Sequence, residues 1–116
     1  MPQAYDPRVN KLGYTQNTIT LSDTTETILI SAGGAGVFHD LTLLWVTNSS
    51  VTAVRVDFRD ATGGTVRFSL ALAANGGAVP PILIPIAQIT ANNNWTAQLS
   101  SAVTDVRIFA QMVKNV

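Results

Sequence analysis

The chain has 116 residues, 47% apolar and only 12% charged, with seven acidic and seven basic residues, one histidine and no cysteine. This length suits one domain, and the charged fraction is about half the quarter that ordinary soluble domains carry. Absence of cysteine excludes a disulfide framework, thiolate metal sites and thiol catalysis, and the scattered, acid-offset Arg55, Arg59, Arg67 and Arg107 argue against nucleic-acid binding.

Residues 1–16 (MPQAYDPRVNKLGYTQ) hold two prolines and both tyrosines of the chain and show neither helical nor strand periodicity. They read as an extended N-terminal arm ahead of a β-domain over 17–116, either a surface-draped terminus or a tether laid across a neighbouring subunit with Tyr5 and Tyr14 as amphipathic anchors. No charged segment followed by an apolar stretch opens the chain, and no apolar run nears twenty residues. The expectation is a soluble protein without an export signal or a membrane partner.

From Asn17 the pattern is β. The segments NTITLS and TETILIS are rich in Thr and Ile and are parted by Ser22 and Asp23. Ser31–Gly36 is too glycine-rich for a regular strand and reads as a loop. Val37–Thr47 (VFHDLTLLWVT) is the most apolar stretch, expected to be a central strand buried on much of both faces and ended by Asn48–Ser50.

Val54, Val56 and Phe58 then alternate with Arg55, Asp57 and Arg59, and beyond Asp60–Gly64 the set Val66, Phe68, Leu70 and Leu72 alternates in turn. This predicts a hairpin. Pairing Phe58 with Val66 would place Asp57 opposite Arg67 and leave Ala61-Thr62-Gly63 as a loop with glycine in the left-handed position. The alternative, Phe58 with Phe68, would oppose Arg59 and Arg67, so the first register is expected.

Asn75–Gly77 turns the chain, and Val79–Ile86 follows with prolines at 80, 81 and 85, which remove three backbone donors and predict an edge or partly paired strand. After Asn92–Asn94, the alternating sets Trp95, Ala97, Leu99 and Val106, Ile108, Ala110, Met112 predict the last two strands. The sum is an all-β, single-domain β-sandwich of about eight antiparallel strands, jelly-roll-like because the immunoglobulin Cys and Trp spacing is missing.

Candidate chemistry is sparse. His39-Asp40 sets an imidazole beside a carboxylate, but no serine lies in a Gly-x-Ser-x-Gly elbow, and neighbours on a strand point to opposite faces. One histidine with scattered carboxylates gives no metal-ligand spacing, and the glycine runs lack the Lys-Ser/Thr of a phosphate loop. No catalytic, metal or cofactor-binding residue is assigned, and none of these groups predicts an enzyme. Trp45 and Trp95 could stack on sugar rings, but each sits in an apolar strand, where core or interface placement is the expectation.

A larger signal is apolar surface in excess. Ile82, Ile84 and Ile86 alternate with further apolar residues, and Phe109 and Val113 add to the outer face of the final strand. One small core cannot cover both sides of both segments, which predicts a contact surface between copies. Low charge and zero net charge agree with association.

The arm, the hairpin VRVDFRDATGGTVRFSLALA and the ending ILIPIAQITANNNWTAQLSSAVTDVRIFAQMVKNV together resemble the small β-sandwich virion proteins of tailed bacteriophages, particularly capsid decoration (cement) proteins. The resemblance implies a structural homotrimer on the capsid surface, made in the host cytoplasm, that binds the major capsid protein and stabilises the head. Tyr5, Arg8, Lys11 and Tyr14 would then be the capsid-contact residues of the arm. The competing function is a carbohydrate- or receptor-binding module of a head or tail fibre.

Overall fold

The computed structural model describes residues 13–115 and contains eight strands among them. In chain order they are β1 (Tyr14–Leu21), β2 (Thr27–Ile30), β3 (Phe38–Asn48), β4 (Val54–Arg59), β5 (Val66–Leu72), β6 (Gly77–Ala78), β7 (Trp95–Leu99) and β8 (Val106–Asn115). They pair antiparallel in two four-stranded sheets, a first sheet ordered β1-β8-β3-β6 and a second ordered β2-β7-β4-β5. Every connection except the β4–β5 hairpin crosses from one sheet to the other, which is the strand order of a jelly roll. The sandwich expected from the alternating patterns is the fold observed.

Alternation places the core. Val54, Val56 and Phe58 of β4, Trp95, Ala97 and Leu99 of β7, and Val106, Ile108, Ala110 and Met112 of β8 are all buried between the sheets. Each buried branched or aromatic side chain stabilises the sandwich by roughly 1.5–3 kcal/mol relative to exposure. Because side chains alternate, the same strands send Arg55, Asp57, Arg107 and Phe109 to the outer faces.

Four details depart from the sequence reading. Strand β1 begins at Tyr14, pairing Tyr14 with Val113, Thr15 with Met112 and Gln16 with Gln111, so the last three residues assigned to the arm belong to the first sheet. Tyr5, Arg8 and Lys11 lie outside the described residues.

Strand β3 is buried on both faces only in its first half, where the consecutive His39, Asp40 and Leu41 are all buried. A bulge between Leu41 and Leu43 inserts one residue into the pairing with β8, and from there the inward set is Leu44, Val46 and Asn48. An extra residue reverses every side chain beyond it. Trp45 therefore leaves the core and is 56% exposed on the outer face.

The hairpin takes the alternative register. Phe58 pairs with Phe68, and a bulge then pairs Arg59 with Val66, so Arg67 never opposes Arg59. The two phenyl rings stack with centroids 4.8 Å apart, worth about 0.5–1.5 kcal/mol beyond their burial, which outweighs an exposed ion pair of about 0.2–1 kcal/mol. Asp57 instead faces Ser69, and Arg67 turns to Asp60 at 2.5 Å. The loop chemistry is as expected: Gly63 has φ +68° and Gly64 N donates to Ala61 O at 2.9 Å.

Val79–Ile86 forms no strand. The short β6 precedes it, where a Cβ on Gly77 would come within 2.7 Å of the Val46 carbonyl oxygen, so only glycine lets β6 approach β3 this closely. Beyond it the prolines leave one bridge, Ile86 with Leu41, whose amides and carbonyls exchange two bonds of 2.9 Å.

Candidate functional site

The two outer faces differ chemically. On the second sheet the polar groups are tied to one another. Arg55 forks onto Asp57 at 2.8 and 3.2 Å, and the Ser69 hydroxyl donates to the same carboxylate at 2.6 Å. Arg59 donates to Gly64 O and Gln98 Oε1, and Gln98 in turn to Thr24 O. The Thr96 hydroxyl and the Gly63 amide both donate to Glu26.

These bonds hold both acids below their ordinary range. For Asp57 the bond from Arg55 is the main cause. For Glu26 burial pushes upward, but the bonds from Thr96 and Gly63 and the charge of Arg59 outweigh it.

On the first sheet the outer face is aromatic. Register sets Thr18, Phe109 and Trp45 in one row across β1, β8 and β3, and Thr20, Arg107 and Thr47 in the next. Thr18, Trp45, Thr47, Arg107 and Phe109 line an open groove of about 340 Å³. Among the described residues the ion pairs are Arg55–Asp57 and Arg67–Asp60, and the Arg107 guanidinium has no hydrogen-bonding or ionic partner. Sequence reasoning named Trp45 and Phe109 separately, but nothing in linear order joins three strands so far apart.

A second feature lies at the β3 edge of this sheet. The segment Val79–Pro85 leaves β6 and returns at Ile86, with Ile82 and Ile86 packed against the core. Between them Leu83 is 94% and Ile84 80% exposed. Of the residues expected to form a contact surface, Ile84 is thus free on the surface, Ile82 and Ile86 are partly covered by their own core, and Phe109 and Val113 are half-buried on the outer face of β8.

The segment is fixed beyond Ile86 by Gln88, whose side chain is buried. Its backbone amide donates to Asp40 Oδ1 at 3.0 Å, its Oε1 accepts from His39 N at 2.8 Å, and its Nε2 donates to Asp60 O and Asn93 O. Asp60 also receives Ile89 N and Arg67. With three prolines fixing φ and both ends anchored, the loop presents Leu83 and Ile84 in a set geometry.

The His39 and Asp40 side chains are not hydrogen-bonded to each other. Asp40 accepts from Gln88 N and from Asn115 Nδ2, while the His39 ring is buried with neither nitrogen hydrogen-bonded. Burial is the main cause that lowers the His39 pKa, Lys114 adds to it, and Asp40 partly opposes it. Among the described residues no three His, Cys, Asp or Glu side chains gather as metal ligands, and no helix is long and apolar enough to cross a membrane. Trp95, the other candidate stacking residue, is fully buried.

No family model matches this chain, and no curated protein matches it either. It is similar in structure to a protein chain of Bacillus endospore appendages, described as a novel family of disulfide-linked pili, with a TM-score of 0.50 and 14% identity over 90% of this chain and 88% of that one. At that identity the likeness shows a shared fold. The present chain has no cysteine, so disulfide linkage is not open to it.

Proposed function

We propose that this chain is a non-enzymatic structural protein that assembles with copies of itself, and that its setting is the head of a tailed bacteriophage, as a homotrimeric capsid decoration (cement) protein bound to the major capsid protein. The observation that carries the reading is the anchored loop whose tip exposes Leu83 at 94% and Ile84 at 80%. A polypeptide that orders two large apolar side chains toward water loses stability unless another surface covers them. Prior ordering by prolines lowers the entropy cost of binding.

The low charge of the chain supports the same reading, because like-charge repulsion between copies is weak. The likeness in fold to a protein of Bacillus endospore appendages, a family of pili, supports its coarser part, a structural protein. A head-to-tail contact that closes after three copies gives a trimer, whereas one that fails to close gives a fibre.

Light scattering at micromolar concentration tests it. The expected result is a trimer mass for the wild-type protein and a monomer for a Leu83→Asp, Ile84→Asp variant with unchanged circular dichroism. A monomeric wild type overturns the reading. Cosedimentation with heads lacking the protein then tests the capsid partner.

A further inference from the structure

We propose that the groove across β1, β8 and β3 binds an acidic saccharide, with Trp45 as the stacking plate and Arg107 as the carboxylate anchor. This goes beyond the assembly reading and uses a different surface from the Leu83–Ile84 tip. Trp45 is 56% exposed in the middle of a sheet face, beside Phe109 in the same register row. A pyranose ring offers one face of C–H groups that suits an indole plate, and a rim of hydroxyls that needs polar partners.

The polar partners are in place. The Thr18 and Thr47 hydroxyls and the Arg107 guanidinium line the groove, and among the described residues none of the three has a hydrogen-bonding partner. A dry contact with another protein copy would bury these groups unsatisfied, at about 1–3 kcal/mol each, whereas a polyhydroxylated ligand satisfies them.

Arg107 sets the charge of the ligand. Arg55 and Arg67 are paired with acids and Arg59 is bonded to Gly64 and Gln98, so among the described arginines Arg107 alone has a guanidinium with no hydrogen-bonding or ionic partner. Its planar fork fits a carboxylate through two parallel bonds. A single-stranded nucleic acid would also stack on Trp45, but it needs a track of cations for successive phosphates, and one arginine lines this groove. The groove volume of about 340 Å³ matches one or two sugar rings, at the low end of ligand sites.

Calorimetry on the intact protein tests this with trigalacturonic acid, its fully methyl-esterified form, sialyllactose, lactose and an oligo-dT of equal length. Trigalacturonic acid or sialyllactose should bind at least tenfold more tightly than its uncharged counterpart, and which of the two binds separates a uronic from a sialic source. Arg107→Gln should abolish that preference, and Trp45→Ala should weaken binding at least tenfold, both without changing circular dichroism or oligomer mass. Binding of the neutral sugars as tightly as the acidic ones, binding of oligo-dT alone, no binding at millimolar ligand, or a changed oligomer mass in Trp45→Ala would each overturn the assignment.

Discussion

The indole Nε1 of Trp95 donates to the backbone carbonyl of His39 at 2.7 Å, a hydrogen bond that crosses the core from β7 of the second sheet to β3 of the first. Trp95 has no exposed surface, and the Arg67 guanidinium lies 5.9 Å from its ring centroid. Arg67 is itself held by Asp60 and by the carbonyl of Ala87. One side chain thus links both sheets to the segment that carries Gln88.

Trp95→Phe should therefore cost more than its lost volume. Phenylalanine keeps an aromatic ring in the core but removes the donor aimed at that carbonyl from the opposite sheet, and a broken buried bond costs about 1–3 kcal/mol. For a domain of this size each kcal/mol lowers the melting temperature by about 4–8 °C. Calorimetric melting of the variant should show a fall of at least that size, and a melting point equal to wild type would show that the sheets are not coupled through this bond.

The inner faces were legible in the sequence because alternation is a local property: Val54, Val56 and Phe58 needed no knowledge of their partners. Register was not legible, since bulges intervene in the pairings that involve β3 and β4. At Phe58/Arg59 the bulge removes the Arg59–Arg67 conflict that had favoured the other pairing, and at Leu41/Leu43 it turns Trp45 outward. Neither insertion has a signal in the residue pattern. The apolar run Val79–Ile86 failed differently, because prolines allow a strand edge or an anchored loop, and only the Gln88 network decides between them. The groove escaped notice because its five lining residues meet only through the β1-β8-β3 order.

The position of β1 corrects where the N-terminal segment can be cut. Removal of residues 1–12 leaves all eight β1–β8 pairs, whereas removal of residues 1–16 deletes those of Tyr14, Thr15 and Gln16. On the proposed function both truncations should lose attachment to phage heads in cosedimentation. Only the longer deletion should lower the melting temperature relative to the shorter one, since it strips paired residues from an edge strand. Equal melting points for the two truncations would show that these three pairs add no stability.

His39 should make folding sensitive to mild acid. Its ring is buried beside Gly33, where an added Cβ would lie 3.0 Å from Nε2, and neither ring nitrogen is hydrogen-bonded. Lys114 sits opposite it on β8 and Asp40 follows it on β3. Burial, with Lys114, lowers its pKa below the ordinary 6.5 despite Asp40. A histidine depressed in the folded state binds more protons when unfolded, so its contribution is fully present above about pH 6.5 and is lost as pH falls toward the folded value. Glu26 and Asp57 are depressed from 4.5 and 3.8, and their contributions are lost only in stronger acid. Urea midpoints should be level above pH 7, decline from about pH 6.5, and decline again below about pH 4.5. His39→Leu should remove the first decline and keep the second, and a variant that still loses stability between pH 6.5 and 5 would assign that loss to another group.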